Sequence, residues 1–435
     1  MSNRRVLVIA YYFPPSGGSG VQRILKFVKY LPAFGWQPVV LTLDPEKAAY
    51  PNLDPAMLEE VPDKAEVHRT ASWDPYRIYA GLTNQKKESA VSVGFLSDAP
   101  VTLREKISRW IRANVFIPDA RVGWYFYALK KAKKLIAQGD IDAILTTGPP
   151  HSTHLIGRAL SRKFKLPWIA DFRDPWVEID FLEELPMSGP AKHWNASLEQ
   201  SVLDEAAVVL TVSPAMDRDF ALKKPTSRHV IYNGFDEQDF EGVIPQKVDN
   251  FVISHVGNMN AARNPEVLWK VLSTGLKEGK WEKLRIKLVG NVDGLVMQHI
   301  KQAGLTDLIE RIPYCPHHEA VQHMMESSIL LLPINNVFSA KGIVTGKLFE
   351  YMATGRSILG IGPPDGDAAV LIDETRTGQM FDYEDEEGVY SFLSKTYSNW
   401  INQHNETPNQ EAIAKYSRKG QTGQLAEILN NLLVQ

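Results

Sequence analysis

Lys347 and Glu350 are the residues whose types and spacing most strongly indicate chemistry in this sequence. Thr345 before them is a suitable helix N-cap, Gly346 lets the backbone approach a ligand, and Gly355 is suited to end the helix. On that short helix Lys347 and Glu350 share a face. A cation in the first turn opposes the helix dipole, so Lys347 indicates a bound anion. Glu350 is able to accept hydrogen bonds from ribose hydroxyls, and an ordinary surface ion pair is the alternative.

Two loops that follow predicted strands are further candidates for phosphate binding. Gly17 and Gly18 lie in a glycine-rich turn between the first strand and the first helix, where backbone N–H groups can approach an anion. The turn matches neither the dinucleotide fingerprint nor the GK[ST] loop, so a plain tight turn is the alternative. Arg263 follows a strand that ends at Val256 and is placed to clamp a diphosphate, with a solvated surface arginine as the alternative.

The elements that must position these residues follow from the apolar pattern. Short apolar runs alternate with amphipathic segments, which is typical of a parallel sheet covered by helices on both faces. The runs are continuous, as expected for strands buried on both sides. In the first half we predict strands at Val6–Tyr11, Pro38–Leu43, Ala143–Thr147, Trp168–Phe172, Ala207–Val212 and His229–Tyr232. In the second half we predict strands at Phe251–Val256, Leu284–Val289, Ser328–Leu332 and Ser357–Ile361.

The pattern predicts an α/β protein with two Rossmann-like domains, residues 1–240 and 250–410. The polar, aperiodic stretch Glu237–Asn250 separates the two series of strands and is predicted to be the linker and one hinge strand. Such sheets bind ligands beyond the carboxyl ends of their strands, so we expect the active site in a cleft between facing domains. Residues Tyr50–Pro100 lack periodicity and are expected to form an irregular excursion.

The composition excludes several classes of protein. The 435 residues suit two domains of about 200 residues each. A net charge of −3 and a pI near 6.4 argue against a nucleic-acid binder. The single cysteine, Cys315, excludes an internal disulfide and indicates a reducing, cytoplasmic compartment. No apolar run approaches the roughly 18 residues of a transmembrane helix. Two histidine pairs lack the cysteine or carboxylate that would complete a zinc site, so no metal site is predicted: His151–His154 and His317–His318.

Residues 101–140 carry nine basic and three acidic side chains, although the whole chain is slightly acidic. Aromatic residues are interleaved with these charges, namely Trp110, Phe116, Trp124, Tyr125, Phe126 and Tyr127. This mixture is typical of helices that lie on an anionic membrane surface, such as the inner face of a cell membrane. A pair of amphipathic helices with solvated lysines is the alternative.

Taken together, eight segments resemble the GT-B glycosyltransferases, specifically the nucleotide-sugar-dependent family 4 (group 1) type of bacterial polysaccharide and glycolipid synthesis. The segments occur in the family's order and cover nearly the whole chain. The first half contributes YYFPPSGGSGVQR (11–23), TTGPPHSTHLIG (146–157), ADFRDPW (170–176), VLTVSPAM (209–216) and VIYNGFD (230–236). The second half contributes HVGNMNAARNPEVL (255–268), TGKLFEYMATGRSILGI (345–361) and GPPDGDAAVLI (362–372).

The resemblance implies that the second domain grips the nucleoside diphosphate of a nucleotide sugar. Arg263 and Lys347 would neutralise the diphosphate, and Glu350 would accept hydrogen bonds from the ribose. Gly17 and Gly18 would let the first loop meet the phosphates or the transferred sugar. The remaining positions of the donor site are Asn258, Thr345 and Gly346, with Tyr314 where the family places the nucleobase.

The resemblance also implies that the first domain presents the acceptor. Arg173 and Asp174, at the end of the ADFRDPW strand, would lie on the acceptor side, and His151 would lie near the same cleft. A helix at about 411–435 would pack back on the first domain, as it does in the family.

The sequence departs from the family at three positions. Gly342 stands where members usually have the first of two glutamates eight positions apart. Asn258 replaces a usual phosphate-binding arginine, and Arg173 replaces a frequent histidine. The family likeness implies a retaining reaction. Because no DxD pair lies at a suitable strand end, we predict action without a metal or any other cofactor.

The function predicted from these residues is transfer of a hexose from a nucleotide sugar to a saccharide or lipid-linked acceptor. A nucleotide-sugar epimerase of the same fold is one alternative, although no matching pair of acidic residues is evident. A non-catalytic partner subunit is the other, and Gly342 and Asn258 favour it. The retained Lys347, Glu350 and Arg263 argue against it.

Overall fold

The computed structural model describes residues 4–47, 50, 53–73, 103–178, 185–245, 248–404 and 407–434. The chain forms two compact units, Met1–Tyr232 with Gln421–Gln435, and Asn233–Gly420. Each unit is built on its own parallel sheet with helices on both faces, as the sequence predicts. No helix within the described ranges is both long and apolar enough to cross a membrane.

The sheet of the first unit has seven strands in the order β3-β2-β1-β4-β5-β6-β7, and every neighbouring pair is parallel. The strands are β1 (Arg4–Ile9), β2 (Trp36–Leu43), β3 (Glu66–Thr70), β4 (Ala143–Gly148), β5 (Trp168–Phe172), β6 (Val208–Thr211) and β7 (Arg228–Val230). The helices between them are α1 (Ser19–Tyr30), α2 (Leu103–Asn114), α3 (Tyr125–Ala137), α4 (Ser152–Phe164), α5 (Gly189–Glu205) and α6 (Pro214–Leu222).

The core of this unit lies on both faces of the sheet because successive side chains of a strand point to opposite sides. Leu7 and Ile9 of β1 pack with α3, α4 and α5 on one face. Val6 and Val8 pack with α1 on the other. All four side chains are fully buried. This burial on both faces explains the continuous apolar runs of the sequence.

The sheet of the second unit has six strands in the order β10-β9-β8-β11-β12-β13, also with parallel neighbours. The strands are β8 (Phe251–Val256), β9 (Leu284–Val289), β10 (Ile309–Ile312), β11 (Ile329–Pro333), β12 (Ser357–Ile361) and β13 (Gly378–Phe381). The helices are α7 (Glu266–Lys277), α8 (Gly294–Gln302), α9 (His317–Met325), α10 (Gly346–Thr354), α11 (Asp367–Thr375), α12 (Glu386–Ile401), α13 (Gln410–Ala414) and α14 (Arg418–Leu432).

The end of the chain returns to the first unit. Leu425, Ala426 and Leu429 of α14 are buried in the same core cluster as Val6 and Val8. The boundary between the units falls after Tyr232, earlier than the predicted linker at 237–250.

The predicted linker, residues 237–250, falls within the second unit of this division. Phe235 contacts the Phe240 ring edge-on, and its backbone pairs with Ser417. The Phe235 amide donates to Tyr416 O at 3.1 Å, and the Arg418 amide donates to Phe235 O at 2.6 Å. These contacts join the residues after Tyr232 to the segment just before α14.

The strands that sequence analysis missed are the edge strands β3, β10 and β13. An edge strand has one neighbour and is half-exposed, so its sequence lacks the apolar run of a central strand. Residues 66–70, which form β3, belong to the stretch predicted to be irregular, and that prediction is wrong there. Residues 74–100 lie outside the described residues.

Each sheet has one point where the order of its strands along the chain reverses. In the first unit the point lies between β1 and β4, and in the second between β8 and β11. Loops that leave adjacent strands there diverge to opposite faces, and the crevice between them is the usual ligand site of an open α/β sheet. Gly17, Gly18 and His151 follow β1 and β4, and Asn258 and Arg263 follow β8.

Candidate active site

The clearest site in the second unit lies at the carboxyl end of β8. Gly257 follows the strand with a φ of +113°, a conformation that side chains rarely adopt. Lys347 of α10 lies directly over its Cα: a Cβ at Gly257 would stand 2.6 Å from Lys347 Nζ and would also collide with Cε. The glycine therefore leaves the space that the lysine side chain occupies.

The Lys347 ammonium is held by neutral groups. Its Nζ lies 3.3 Å from His255 Nε2 and 3.5 Å from the Asn258 carbonyl oxygen. The pKa of Lys347 is lowered to about 7, chiefly by burial and then by the nearby Arg263, while Glu350 opposes the shift. The positive charge of Lys347 therefore lies at a place where the groups in direct contact with it carry no negative charge.

Arg263 brings a second cation to the same carbonyl. Its Nη1 donates to Asn258 O at 3.4 Å, and its Nε donates to the Asn335 side chain beyond β11. Burial lowers the pKa of this guanidinium as well. Within the described residues neither Arg263 nor Lys347 forms an ion pair. Both positive charges lie near the same carbonyl oxygen, that of Asn258. Such an arrangement favours an anionic ligand.

Helix α10 presents its N-terminus beside these cations. Thr345 is the N-cap by its extended backbone, as predicted. Its buried hydroxyl makes no capping hydrogen bond and has no hydrogen-bond partner among the residues that the structure describes. The first N–H groups of a helix have no acceptor within the helix, so those of Gly346 and Lys347 are available to a ligand. Gly355, in the left-handed conformation, ends the helix as predicted.

Glu350 lies one turn after Lys347 and is mostly buried. It accepts a hydrogen bond from His317 Nε2 at 3.1 Å, and His317 Nδ1 lies 4.0 Å from an oxygen of Asp239. His317 begins α9, shortly after Tyr314, whose side chain is 79% exposed. The loop that carries Tyr314 is thus tied to Glu350 through the histidine, and the tyrosine ring is free to stack on a flat ligand.

In the first unit the glycine-rich turn joins β1 to α1. Gly18 is the N-cap of α1 with a φ of +111°, so this position needs a glycine. Gly17 precedes it and is half-buried. Gly20 lies against the Arg173 guanidinium, which a Cβ at position 20 would overlap.

Arg173 follows β5 and spans the loops at this edge of the sheet. Its Nε donates to Gly148 O at 3.0 Å and its Nη2 donates to Pro149 O at 2.5 Å. Burial lowers the pKa of the guanidinium, and Asp174 and Asp171 oppose that shift. The arginine thereby joins the loop after β4 to the glycine-rich turn. Asp174 beside it is exposed.

His151 is a buried, neutral ring. It stacks on Trp176 with ring centroids 5.0 Å apart and planes 8° from parallel. Burial lowers its pKa to about 3, so it carries no charge near neutral pH. Its Nδ1 has no partner among the described residues and faces the Cα of Gly148.

A fully buried ion pair holds this edge of the first unit together. Arg23 Nη2 lies 2.7 Å from Asp171 Oδ1, and both side chains are inaccessible to solvent. Arg23 Nη1 also donates to the carbonyls of Ile231 and Tyr232, and Thr147 donates to the other Asp171 oxygen. Every charge of this network has a partner.

The structure therefore groups the candidate residues by unit. Asn258, Arg263, Lys347 and the start of α10 meet at one strand-order reversal, with Glu350 one turn on. Gly17 and Gly18 follow β1, His151 follows β4, and Arg173 and Asp174 follow β5 at the same edge of the first sheet.

Sequence reasoning missed three residues of these sites, and it treated a fourth only as a metal ligand. His255, Asn335 and Gly20 were not singled out, and His317 was considered only in a histidine pair. Polar residues at the ends of β8 and β11 would have pointed to the first two. Within the described residues no group of three or more His, Cys, Asp or Glu side chains is placed to hold a metal.

In the basic segment, residues 103–114 form α2 and residues 125–137 form α3, with ten residues between the two helices. Several of its large apolar side chains are exposed, with Phe126 at 73% and Trp110 at 52%. Lys130 and Lys134 of α3 are exposed as well. Asn114 at the end of α2 is hydrogen-bonded to Pro186 and Ser188, just before α5. Trp194 of α5 is 54% exposed.

Comparisons with known proteins agree with this architecture. A family model described as "Glycosyl transferase 4-like domain" matches residues 17–234, just over half of the chain. No curated protein sequence is significantly similar to this one.

Solved structures resemble the chain along its whole length. Sucrose-phosphate synthase from Thermosynechococcus elongatus is 13% identical with a TM-score of 0.62, and the match covers 99% of each chain. Anabaena HepE in complex with UDP and glucose is 15% identical with a TM-score of 0.59, covering 98% of this chain and 100% of that one. WaaG, a glycosyltransferase involved in lipopolysaccharide biosynthesis, is 12% identical with a TM-score of 0.56. The match covers 98% of this chain and 99% of that one.

These structural likenesses show the fold, and the family model shows the family. The structural likenesses agree with the two parallel sheets. The chain has the GT-B fold, belongs to the glycosyl transferase 4-like family and is a glycosyltransferase.

Proposed function

We propose that this glycosyltransferase moves a hexose from a nucleoside diphosphate sugar to a saccharide or a lipid-linked saccharide. The observation that carries the proposal is the pair of cations in the second unit. Lys347 and Arg263 both approach the Asn258 carbonyl, and neither forms an ion pair within the described ranges. A diphosphate would supply the negative charge that this site lacks. HepE, which shares the fold, has been solved with UDP and with UDP-glucose.

The same two cations would supply the main catalytic effect. In the reaction an acceptor oxygen bonds to the anomeric carbon, the bond from that carbon to the diphosphate breaks, and negative charge grows on the diphosphate. Donors aimed at such a charge are typically worth a few kcal/mol each. The free N–H groups of α10 and the unpartnered Thr345 hydroxyl would add to this stabilisation.

The nucleoside would lie toward Glu350 and Tyr314. One Glu350 oxygen accepts from His317, and the carboxylate has further lone pairs for ribose hydroxyls. The exposed Tyr314 ring offers a stacking surface for the base. Gly17 and Gly18 of the first unit would let backbone N–H groups approach the phosphates or the transferred sugar.

The acceptor would bind to the first unit at the ends of β4 and β5. Asp174 is exposed and able to accept a hydrogen bond from an acceptor hydroxyl. Arg173 would lend positive charge while it holds the loop after β4. The neutral His151 would form part of the wall of this site through its stack on Trp176.

We propose retention of configuration and no metal requirement. Gly342 has no side chain, so no carboxylate assists from that position, and an oxygen of the departing diphosphate would take the acceptor proton. The proton and the leaving group then end on the same product, the nucleoside diphosphate. An NMR spectrum of the first product would give its anomeric configuration, and inversion would reject this part. Full activity in EDTA is expected, whereas loss of activity that Mg²⁺ restores would reject metal independence.

The acceptor is proposed to be met at the cytoplasmic face of a membrane. Phe126 and Trp110 are exposed in a segment with a net charge of +6, which suits an anionic lipid surface. We expect the protein to float with vesicles that contain anionic lipid at low salt. A Lys130→Glu/Lys134→Glu variant should float less, with Lys277→Glu/Lys280→Glu in the second unit as the matched control. Membrane contact through this segment would be rejected if the two variants float equally well. It would also be rejected if the wild-type protein does not float.

The donor proposal is tested by a thermal-shift panel of UDP, GDP, ADP, CMP, dTDP and their common sugar conjugates. One nucleotide should raise the melting temperature, and the rise should grow with the logarithm of its concentration once that exceeds its dissociation constant. The Lys347→Met variant should lose most of that rise. A folded wild-type protein that responds to none of them would reject the donor proposal and favour a non-catalytic subunit.

A further inference from the structure

His255 is a buried histidine in the central strand β8, and neither the family match nor the likenesses to solved structures assign it a role. Its side chain is 1% exposed. Its Nδ1 lies 3.0 Å from the Leu331 carbonyl oxygen of the neighbouring strand β11. Its Nε2 lies 3.3 Å from Lys347 Nζ and 3.5 Å from the Asn258 carbonyl oxygen. The ring thus joins the middle of the sheet to the cation site.

The partners of the ring determine its tautomer. A carbonyl oxygen only accepts, so the closer carbonyl, that of Leu331, requires the hydrogen on Nδ1. Burial lowers the pKa of His255 well below its usual value, and the Lys347 charge lowers it further. The ring is therefore neutral, and Nε2 carries a lone pair. That lone pair accepts a hydrogen bond from the Lys347 ammonium.

The path of the lysine side chain shows why such an acceptor is needed. Lys347 crosses the Cα of Gly257 instead of extending toward solvent. Its only other hydrogen-bond contact within the described residues is the Asn258 carbonyl at 3.5 Å, a long distance for an ammonium. Without the His255 acceptor, the ammonium would have little to hold it at the end of β8.

We propose that His255 is a positioning residue, whose neutral Nε2 holds the Lys347 ammonium over Gly257 and aims its remaining N–H groups at the donor diphosphate. The inference rests on the proposed function, because it assumes that Lys347 binds a diphosphate. A carboxylate at position 255 would hold the lysine equally well, but it would cancel the charge on which the diphosphate depends. A neutral imidazole fixes the position of the cation and leaves its charge intact.

The arrangement also sets how the site responds to pH. Three groups face the Lys347 ammonium: the His255 ring from β8, the Arg263 cation from the turn after β8, and the Glu350 carboxylate from α10. Arg263 keeps its charge over the working range, and the neutral ring does not titrate there. The change in charge near neutral pH is then that of Lys347 itself. His255 favours the charged form by accepting its hydrogen bond.

The test compares His255→Phe, which removes the acceptor, with His255→Gln, which places an amide oxygen near the position of Nε2. Both variants lose the hydrogen bond to Leu331, so only the contact to Lys347 distinguishes them. The titration of Lys347 is followed by NMR of protein labelled at lysine Cε, with Lys347→Arg to assign the signal. Binding of inorganic pyrophosphate, which needs no particular nucleobase, is measured by calorimetry between pH 6 and pH 9.

For His255→Phe we expect the titration of Lys347 to move to lower pH and pyrophosphate affinity at pH 6.5 to fall about tenfold, as for loss of a hydrogen bond to a charged group. His255→Gln should stay within about threefold of the wild type. An unchanged Lys347 titration and unchanged affinity in His255→Phe would overturn the inference. Equal losses in both variants would also overturn it, because they would indicate a merely structural role.

Two further measurements keep the outcomes distinct. If His255→Phe does not fold, His255→Leu makes the same comparison. If wild-type protein binds neither pyrophosphate nor UDP, the proposed donor site is rejected. In that case the Lys347 titration alone decides whether His255 holds the ammonium.

Discussion

In each unit of this protein a cationic side chain packs against the Cα of a glycine, but the hydrogen-bond partners of the two cations differ. In the first unit Arg173 lies on Gly20 and donates to two backbone carbonyls within 3.0 Å. In the second unit Lys347 lies on Gly257 and contacts a neutral ring and one distant carbonyl. The first cation is occupied in joining loops, whereas the second retains most of its capacity to bind an anion.

The same contrast extends to the surrounding charges. Arg23 and Asp171, fully buried in the first unit, satisfy one another and nearby backbone groups. Arg263 in the second unit adds a like charge next to Lys347. Removing one partner of a buried ion pair is costly, because the other charge is left buried and unsatisfied. Unpaired buried charges reduce stability and contribute to binding.

The largest effect is expected from breaking the buried pair of the first unit. Arg23→Met leaves the Asp171 carboxylate buried without its cation, which typically costs about 3–5 kcal/mol of unfolding free energy. The double variant Arg23→Met/Asp171→Leu should recover a large part of that loss. Urea unfolding measures both. A loss below about 1 kcal/mol in the single variant would contradict the role assigned to the pair.

Removing Lys347 should have the opposite effect on stability. Lys347→Met should weaken UDP binding by about 10- to 100-fold, since charge-assisted hydrogen bonds to phosphate are lost. The free protein at pH 7 should gain on the order of 1–3 kcal/mol, because a desolvated ammonium is removed. Calorimetry and urea unfolding check the two parts. A loss of stability would place Lys347 in the same class as Arg23.

The pH dependence of that gain follows from the pKa of Lys347. Its pKa is lowered to about 7 in the folded protein, against 10.5 as the ordinary value. Between these values the unfolded chain binds more protons, so stability should rise with pH across this window. Below pH 7 both states are protonated and the cost is complete. The difference in unfolding free energy between Lys347→Met and wild type should therefore be largest at pH 6–7 and shrink toward pH 10.

Matched glycine substitutions distinguish the roles of Lys347 and Arg173 without removing either side chain. Gly257→Ala forces a side chain into a φ of +113° and against Lys347, so UDP affinity should fall about tenfold and stability by about 1–3 kcal/mol. Gly20→Ala displaces the Arg173 guanidinium instead. It should lower the turnover number several-fold with UDP affinity unchanged. If Gly20→Ala weakens UDP binding as much as Gly257→Ala does, the two cations share one role.

The smallest effect is expected at the ribose. Glu350→Gln keeps an acceptor and the contact with His317 but loses the charge, so UDP should bind about three- to tenfold more weakly. A 2′,3′-dideoxy analogue of UDP should bind both proteins equally. Parallel losses for UDP and for the analogue would mean that Glu350 contacts another part of the nucleotide.

Much of the fold was predictable because parallel strands buried on both faces leave long apolar runs. The bounds of β5, β8, β9 and β12 agree with the sequence prediction to the residue. Edge strands such as β10 and β13 have one covered side and lack that signal. Helix α10 was predictable at both ends, because Thr345 and Gly355 act through local backbone conformation.

The sequence by itself thus determined two parallel sheets, the loops at their carboxyl ends, and the presence of Lys347, Arg263 and Glu350 beside them. Only the tertiary structure decided which charges have partners. Asp171 neutralises Arg23 across 148 positions of sequence, whereas Lys347 meets His255 across 92. Such contacts depend on the register and order of strands, which bring distant residues together through packing. The local sequence pattern does not indicate these long-range contacts, so only the folded chain distinguishes a paired charge from an unpaired one.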